Sequence, residues 1–472
     1  MMSNLISYKD YTVDYLVIGS GATAMAFVDT LLDTNPKVTV LMIDQQSSPG
    51  GHWVNAYPFV RLHQPALYYG VASTKLENSN HDLVSKYQIL GYYDRVLTRF
   101  KNTGRCEFLG QYTYQANPNT EKDSIAIFHS LAIKEYSIRV HYQTLVDTTY
   151  MQITIPSITP PKYKIEPQAH VVPINKLAYL EKPYEHFVVI GAGKTGIDAV
   201  LYLLNMGVLS QKITWVMSQD AWLYNRAHAH PENFNQSLYQ QLDVLKNSQS
   251  LEDLMFNLED IEFLMRLDNK RVPTAYRCAT VSEIELIQLR TIQNIIRLGR
   301  VQQVSREQII LDQGEISIHP QSLIVDCTSD GLTRRSPKTI FEKNRITLQS
   351  VVMCQPTYGA SVLGYIEGRF QADIDKKNQL AIPVPHPAIP IDFLPSLSNS
   401  LTNLISWTSC MPLWLGRNRL NVGHHVSILS NLRLGWKLYR NLDRIVENLK
   451  ALEESSKVSH QLSDPASDQI TR

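Results

Sequence analysis

Two segments of this sequence share one pattern, and that pattern restricts the fold more than any other feature. Asp14–Leu32 and His186–Leu204 each contain a run of apolar, strand-forming residues, then Gly-x-Gly, then apolar residues at helical spacing. Each is followed by another apolar run, Lys37–Asp44 in the first case and Lys212–Ser218 in the second. The chain is therefore predicted to be an α/β protein with two Rossmann-type domains, each opening with a β-strand–α-helix–β-strand unit.

The first glycine pattern predicts a binding site for a dinucleotide. Gly19 permits the tight turn out of the strand, and Gly21 lets the backbone approach a pyrophosphate at the positive end of the helix. Ala24 replaces the third glycine, and Asp44 ends the next strand, where a carboxylate can accept hydrogen bonds from ribose hydroxyls. The residues expected to line this site are Gly19, Gly21, Ala22, Thr23, Ala24, Asp44 and Gln45.

The second glycine pattern is complete, because Gly191, Gly193 and Gly196 occupy all three positions of G-x-G-x-x-G. Lys194 and Thr195 stand at the start of the predicted helix, where backbone N–H groups are free to bind phosphate. One chain is thus predicted to hold two dinucleotide sites.

Two later strands are predicted to close the two units. Leu145–Tyr150 and Leu323–Gly331 each contain an apolar run followed by Asp, a small residue and Thr, and Thr148 and Thr328 within them are expected to bind the cofactors. The repeat suggests that the second nucleotide domain is inserted into the first. The predicted division is 1–165 for the first part of the first domain, 166–325 for the inserted domain with a helical insertion, 326–452 for completion of the first domain with a C-terminal helix, and 453–472 for a disordered tail.

The segment after Asp44 carries a family resemblance. Ser48–Pro65 reads SPGGHWVNAYPFVRLHQP, and its G-G-x-W followed by Y-P resembles the flavin-containing monooxygenases and the related Baeyer–Villiger monooxygenases. The resemblance implies that the first domain binds FAD and that this strip runs beneath the flavin ring. The cofactor-binding residues that it implies here are Gly51, His52, Trp53, Arg61 and Gln64. His63 stands where the Baeyer–Villiger pattern has an acid, so it is a candidate catalytic residue at the flavin, or else a loop histidine bonded to backbone.

The second domain is expected to bind NADPH rather than NADH. Aligning the two βαβ units places Gln219, beside Ser218, opposite Asp44, so no carboxylate stands there to repel a 2′-phosphate, although Asp220 follows directly. Arg226 is the first candidate for the balancing positive charge and Lys194 the second. The alternative for Arg226 is a solvated surface arginine.

Arg277 is the other candidate catalytic residue. The Baeyer–Villiger enzymes carry an arginine on a loop that leads from the nicotinamide domain toward the flavin, and Arg277 has a comparable place in the chain order. A permanently charged guanidinium suits both a nicotinamide carboxamide and a developing anion. A structural salt bridge is the alternative.

Helical signals fill the rest of the inserted domain and the C-terminal region. Ser282–Glu285 has the sequence of a capping box, predicted to open an amphipathic helix whose apolar face contains Ile284, Ile287, Ile292 and Ile295. A last long helix is predicted at Ser427–Leu452.

Composition narrows the remaining function classes. A formal net charge of +1 gives no sign of the dense basic face that nucleic-acid binding needs. Five scattered cysteines without a C-x-x-C pair predict no disulfide framework and favour a reducing, cytoplasmic environment. No apolar run is long enough to predict a membrane span, and no metal site is indicated. Whether copies of the chain assemble is left open.

These observations predict an FAD-dependent NADPH oxidoreductase. The resemblance implies a monooxygenase that uses dioxygen to form a flavin hydroperoxide and oxygenates a small organic substrate. One alternative is an NADPH-dependent flavin dehydrogenase or oxidase without oxygen insertion. An alternative of another class is a nucleotide-binding redox scaffold that has lost turnover.

Overall fold

The computed structural model describes residues 7–76, 83–115, 122–329, 331–370 and 372–463. In chain order its strands are β1 Ser7–Ile18, β2 Val40–Asp44, β3 Cys106–Gly110, β4 Tyr112–Tyr114, β5 Ile125–Ser130, β6 Tyr136–Asp147, β7 Lys164–Ile165, β8 Val171–Pro173, β9 His186–Ile190, β10 Ile213–Val216, β11 Ala221–Asn225, β12 Leu264–Met265, β13 Ala275–Val281, β14 Asn294–Ile296, β15 Val301–Val304, β16 Gln308–Leu311, β17 Gly314–Ser317, β18 Ser322–Asp326 and β19 Arg345–Thr347.

The helices lie between and after these strands. They are α1 Ala22–Thr34, α2 His52–Asn55, α3 Lys86–Asn102, α4 Lys194–Asn205, α5 Pro231–Asn247, α6 Leu251–Asp260, α7 Glu283–Leu289, α8 Pro356–Arg369, α9 Ile374–Gln379, α10 Phe393–Cys410, α11 Pro412–Arg417 and α12 Ile428–Ser463. Short 3₁₀ helices occur at Ala66–Tyr68, Ile174–Tyr179, Ser210–Lys212, Arg226–Ala229, Pro390–Asp392 and Val422–His425.

Two sheets contain the predicted nucleotide units, and the protein is α/β as expected. In the first sheet the strand order is β3-β2-β1-β6-β5-β4, and β19 pairs with the end of β6. Strands β1, β2, β3, β6 and β19 are parallel, whereas β4 and β5 are antiparallel. In the second sheet the order is β14-β10-β9-β18-β8, and every pairing is parallel. A four-stranded sheet, β17-β16-β15-β7, and a three-stranded one, β12-β11-β13, complete this part of the chain.

The two closing strands occupy equivalent places. Asp147 at the end of β6 pairs in register with Ile18 at the end of β1, and Asp326 at the end of β18 pairs with Ile190 at the end of β9. The predicted strands before both glycine turns and the predicted closing strands are confirmed. Each closing strand therefore ends beside a glycine turn.

Helix α1 is enclosed, because the first sheet covers one side and α8 crosses the other. The predicted inner face is confirmed: Ala24, Phe27, Val28, Leu31 and Leu32 are all buried. The crossing with α8 is tight at Gly364, where a Cβ would lie 2.5 Å from the Phe27 carbonyl oxygen. This helix returns to the first sheet's core long after the second sheet is complete.

Two helix predictions need correction. The Ser282–Glu285 capping box is confirmed, but α7 ends at Leu289, and its buried residues are Leu286 and Leu289. Ile284 and Ile287 are 73% and 64% exposed, so the predicted apolar face was wrong. Isoleucines spaced along a sequence do not reveal on which side of a short helix the core lies.

The predicted disordered tail is also wrong in its first part. Helix α12 begins at Ile428, as expected, but continues through residues 453–463 to Ser463. A helix is easier to lengthen than to start, because each added residue gains one hydrogen bond. Lys457 also forms an ion pair with Glu453, one turn earlier, which supports the extension. Residues 464–472 lie outside the described part of the chain.

The cysteine prediction is corrected as well. Cys278 on β13 and Cys354, just before α8, form a disulfide across 76 residues of sequence. Cys106, Cys327 and Cys410 are free. Scattered cysteines can meet when the fold brings distant strands and loops together. Among the described residues, no helix is both long and apolar enough to cross a membrane.

Candidate functional site

The first glycine turn has the geometry of a phosphate cradle. Gly19 has φ +99°, and a Cβ there would overlap the side chain of Thr148, whose hydroxyl donates to the Ile18 carbonyl at 2.7 Å. Gly21 is the N-cap of α1, and no side chain caps the helix. The first N–H groups of α1 are therefore left for a ligand, and Ala22 and Thr23, both partly exposed, stand beside them.

Asp44 is oriented by the same turn. Its carboxylate accepts hydrogen bonds from the Ser20 backbone N–H at 2.6 Å, the Ser20 hydroxyl at 2.7 Å and the Gln46 N–H at 2.8 Å. A carboxylate offers about four acceptor positions, so one remains for a ribose hydroxyl. Asp44 is only partly buried and Gln45 next to it is exposed, which leaves this edge of the sheet accessible.

The segment Ser48–Pro65, called the strip below, begins against this cradle. Gly50 donates its N–H to the Ser20 carbonyl at 3.0 Å. Gly51 has φ +57°, and a Cβ there would lie 2.9 Å from the Gly21 Cα. The positive φ and the close approach to Gly21 both require glycine at position 51.

The next residues of the strip form a buried aromatic wall. Trp53 is 6% exposed, and its indole N–H donates to the Tyr69 hydroxyl at 2.6 Å. The ring of His52 lies 5.2 Å from that of Trp53, and burial lowers the pKa of His52 to about 4. Trp53 is thus held by a hydrogen bond, and His52 is uncharged at neutral pH.

The middle of the strip packs on the second nucleotide fold. Tyr57 is buried, and its hydroxyl donates to the carboxylate of Asp198 on α4 at 2.5 Å. Asp198 also forms an ion pair with Lys194 in the first turn of the same helix. Phe59 stacks on Tyr202 of α4 with ring centroids 3.8 Å apart. One segment therefore contacts both glycine helices, at its start and at its middle.

The end of the strip brings His63 beside two cations. Loss of hydration, followed by the charges of Lys194 and Arg226, lowers the pKa of His63 to about 3. The Arg226 guanidinium donates to the His63 carbonyl at 3.3 Å and forms an ion pair with Glu285 at 2.7 Å. Glu285 is the acid of the capping box of α7, because it also accepts from the Ser282 N–H.

Two other strip residues take different positions. Arg61 is exposed and donates to the Leu83 carbonyl at 2.8 Å, on the side of the strip toward α3. Gln64 is partly buried next to His63.

The second glycine turn repeats the features of the first. Gly191 has φ +133°, and a Cβ there would lie 2.6 Å from the Cys327 carbonyl oxygen of the closing strand. Gly193 is the N-cap of α4 without a side-chain cap, and Thr195 is partly buried in the first turn. A Cβ at Gly196 would overlap the Gly191 carbonyl, so the helix packs as closely on the turn as glycine allows. This cradle, too, leaves N–H groups for an anion.

Thr328 lies just beyond the closing strand of the second sheet. Its hydroxyl donates to the Asp326 carboxylate at 2.7 Å, and that carboxylate also accepts from the Tyr163 hydroxyl at 3.1 Å. In the first fold the equivalent residue is Thr149, whose hydroxyl donates to the Asp147 carboxylate at 2.8 Å, whereas Thr148 bonds to the Ile18 carbonyl.

The outer edge of the second fold shows a residue that the sequence reasoning missed. Ser218 and Gln219 are exposed after β10, as a nucleotide-contacting turn requires. Asp220, which follows, is held by Arg297 through two hydrogen bonds of 2.7 and 2.9 Å. Arg297 directly follows β14, the neighbour of β10. A basic residue directly after an apolar strand was the sequence signal that could have identified it.

The structure excludes the alternative for Arg226 and corrects the placement of Arg277. Arg226 is only 8% exposed and is ion-paired, so it is not a solvated surface arginine. Arg277 is exposed but lies within strand β13, not on a loop. Burial, and then the charge of Arg277, lower the pKa of His386 to about 4. The charges that act on His63 are those of Lys194, Arg226 and Glu285.

Comparison with other proteins identifies the family. Uncharacterized proteins of Mycobacterium tuberculosis and Mycobacterium bovis are each 39% identical to this chain over 432 residues, which cover 88% of this chain and 78% of the relative. The chain belongs to their family. No family model matches it. The members named here carry no functional description, so the family itself does not supply an activity.

Solved structures extend the comparison at the level of fold. A polycyclic ketone monooxygenase from Thermothelomyces thermophila matches with a TM-score of 0.52 and 11% identity, covering 92% of this chain and 88% of that one. The enzyme OTEMO, solved in complex with FAD and NADP, matches with a TM-score of 0.51 and 15% identity, covering 77% of this chain and 85% of that one. This chain therefore has the fold of flavin monooxygenases, and the resemblance drawn from the Gly-Gly-x-Trp strip is confirmed as that of a divergent relative.

Proposed function

We propose that this chain binds FAD on its first nucleotide fold and NADPH on its second, and passes hydride from NADPH to FAD. In this proposal residues 1–165 and 326–452 form the FAD domain, and 166–325 form an inserted nicotinamide domain. The observation that carries it is that the strip contacts both glycine helices. Gly51 packs on Gly21 at the start of α1, and the Tyr57 hydroxyl bonds to Asp198 on α4. Two dinucleotides seated on these cradles would share one wall.

The residues of the first fold fit FAD. The uncapped N-terminus of α1 and the side-chain-free approach between Gly21 and Gly51 suit a pyrophosphate. Asp44 keeps an acceptor position for a ribose hydroxyl. Trp53, locked by Tyr69, offers a flat apolar surface to a ring system. A solved fold neighbour, OTEMO, is described as a complex with FAD and NADP.

The second fold fits a nicotinamide dinucleotide with a 2′-phosphate. Gly193 and α4 provide the same cradle for a pyrophosphate. At the adenosine end, Ser218 and Gln219 bring no carboxylate, and the charge of Asp220 is balanced by Arg297. We propose Arg297, ahead of Arg226 and Lys194, as the cation that meets the phosphate.

The side chains define what the site contributes to chemistry. When bound, FAD would supply hydride acceptance from NADPH and onward electron transfer to dioxygen or another acceptor. Tyr57 and Asp198 hold the strip at a fixed distance from α4, and Trp53 excludes water from one wall. His63 is uncharged at neutral pH, so at the strip's end it can donate or accept a hydrogen bond but carries no fixed charge. In the same proposal Arg277, on β13 of the nicotinamide domain, supplies positive charge to the nicotinamide or to an anion at the flavin.

Oxygenation of a small organic substrate is the activity we propose for the reduced flavin. Its support is the monooxygenase fold and the strip that carries the resemblance. The test uses FAD-loaded protein reduced under anaerobic conditions and then mixed rapidly with dioxygen. Reoxidation in two resolved phases, with the slower phase accelerated by a ketone or sulfide substrate, is expected of an oxygenating flavoprotein. A single phase with stoichiometric release of hydrogen peroxide would overturn oxygenation.

A flavin dehydrogenase or oxidase is the second candidate, and one observation favours it. The two cations next to His63 are each matched to a carboxylate, Lys194 to Asp198 and Arg226 to Glu285. Paired charges of this kind offer little extra stabilisation to an anion that forms near the strip. The single-phase outcome of the experiment above is the one that this candidate predicts.

A further inference from the structure

Helix α12 presents an apolar face that nothing else in the described chain covers. Ile428, Leu429, Leu432, Trp436 and Tyr439 lie on one side of its first three turns and are between 63% and 85% exposed. Their spacing of three, four and seven residues is that of a continuous stripe along a helix. This group is called the α12 face below. Large exposed apolar patches on a protein are a sign of a contact surface.

The α12 face borders an open cleft. A cavity of about 790 Å³ lies between the end of α10, at Thr408, and the start of α12, and its walls include Ile428, Leu432 and Trp436. Leu413 on the neighbouring helix α11 is a further exposed apolar residue, at 79%. The surface is therefore apolar and open to solvent.

The opposite side of α12 explains why this face points outward. Asn235 on α5 bonds to Asn431 at 3.0 Å, and Lys437 bonds to Asp243 at 2.6 Å. Ile445, farther along α12, is buried in the adjoining core. The helix is anchored along one side, which leaves the α12 face free.

Charge along this stretch of the chain has one sign, and Asp243, the acid that reaches α12 from α5, is paired with Lys437. From Phe393 to Leu442 the sequence contains no Asp or Glu, whereas it contains five basic side chains, Arg417, Arg419, Arg433, Lys437 and Arg440. Arg419 and Lys437 are buried, and Arg417, Arg433 and Arg440 are exposed. Arg440 lies over the Trp436 ring at 4.6 Å. Asp443, one turn on, marks the end of the acid-free stretch.

We propose that the α12 face is a docking surface for an anionic membrane. Tryptophan, tyrosine and leucine between arginines are the composition of helices that lie in the headgroup region of a bilayer, with apolar side chains inserted and cations on anionic headgroups. A second copy of this chain fits less well, because a symmetric contact would bring the same arginines together with no acid between them. The protein would rest on the membrane surface without spanning it.

The test is flotation of the full-length protein with vesicles of phosphatidylcholine, alone or with an equal share of phosphatidylglycerol. Binding is expected only with the anionic lipid, and it should weaken as salt rises. The double variant Leu432→Ser/Trp436→Ser removes inserted groups, and Arg433→Glu/Arg440→Glu reverses the charge. Each is expected to lower vesicle binding roughly tenfold or more, the first because it removes two inserted apolar side chains and the second because each basic residue near the surface contributes about fivefold.

A matched control and a solution measurement make the result decisive. Met206→Ser/Leu209→Ser removes two apolar side chains that are equally exposed, at 67% and 62%, elsewhere on the surface, and it should bind vesicles like the wild type. All variants change exposed residues, so their melting temperatures should match the wild type's. Absence of wild-type binding to anionic vesicles at low salt would overturn the proposal. So would a wild-type dimer in sedimentation velocity that Leu432→Ser/Trp436→Ser dissociates, because the α12 face would then be the contact between copies.

Discussion

The Tyr57 hydroxyl donates a 2.5 Å hydrogen bond to the Asp198 carboxylate, which joins the strip to the glycine helix of the second nucleotide fold. Burial and the negative charge of Asp198 raise the pKa of Tyr57 well above its ordinary value, so the proton stays on the phenol. The bond therefore persists at any pH at which the protein is folded and Asp198 is ionised. If hydride passes between the two folds, this contact sets the distance between them.

Replacing Tyr57 with phenylalanine tests that link. Tyr57→Phe removes the donor, and because Asp198 is mostly buried, a loss of about 1.5–3 kcal/mol in the free energy of unfolding is expected. FAD should be retained, while reduction by NADPH slows. Tyr15→Phe is the matched control, since it removes a 2.7 Å bond from a buried tyrosine to Glu367 within the first fold. Equal slowing in both variants would show that the loss of stability, and not the link, is responsible.

The second prediction distinguishes the role of Arg297 from that of Arg226. Arg297→Ala should weaken NADPH more than NADH by about 1–3 kcal/mol, the value of a charge-assisted hydrogen bond. Arg226→Ala leaves Glu285 half-buried without its partner, so a loss of up to about 3 kcal/mol in stability is expected, with the NADPH preference retained. Titration of both nucleotides and chemical unfolding measure the two effects. Loss of the preference in Arg226→Ala alone would assign the phosphate to Arg226.

The third prediction concerns acid stability. The pKa of His63 is about 3 in the folded protein and about 6.5 in an unfolded chain, so between these values the unfolded state binds the extra proton. Stability should therefore fall as the pH drops from 6.5 toward 3, with a slope of up to about 1.4 kcal/mol per pH unit from this residue. His63→Asn should flatten the dependence in urea unfolding. An unchanged slope would mean that His63 is not desolvated as described.

The fourth prediction addresses Arg277. Arg277→Lys keeps the positive charge but loses the planar guanidinium, so it should slow reduction or oxygenation tenfold or more, about 1.4 kcal/mol, if the side chain meets a nicotinamide or an anion. A structural role would lower the melting temperature and leave the rates of folded protein intact. The charge of Arg277 lowers the pKa of His386, so this pKa should rise in Arg277→Ala. In Arg277→Lys, NMR titration of His386 shows whether the positive charge is still in place.

Sequence predicted the parts of this fold that depend on local chemistry. Gly19 and Gly191 have the positive φ that a tight turn after a strand demands. Ala24 and Phe27 are buried as predicted, although α1 is buried on every side from Ala24 to Leu32. The Ser282 cap was predictable because both of its bonds lie within three residues.

What the sequence did not reveal depends on distant partners. Arg226 and Glu285 are 59 residues apart, and their pairing results from the meeting of a 3₁₀ turn and a helix start in three dimensions. Arg277 lies in a strand because β13 adds alongside β11, a tertiary event with a weak local signal. The disulfide between Cys278 and Cys354 has the same origin.

The most direct test of two cooperating nucleotide sites is anaerobic mixing of FAD-loaded protein with NADPH, followed by flavin absorbance. The flavin should be bleached, and faster by NADPH than by NADH. Gly21→Val should fold, since a Cβ there keeps 3.7 Å from the Gly51 Cα, yet its methyl groups fill the pyrophosphate approach and FAD should be lost. Gly416→Val, where a Cβ meets nothing within 4 Å, should retain it. A wild-type protein that binds no added FAD, or whose bound FAD neither nucleotide reduces, would contradict the proposed function.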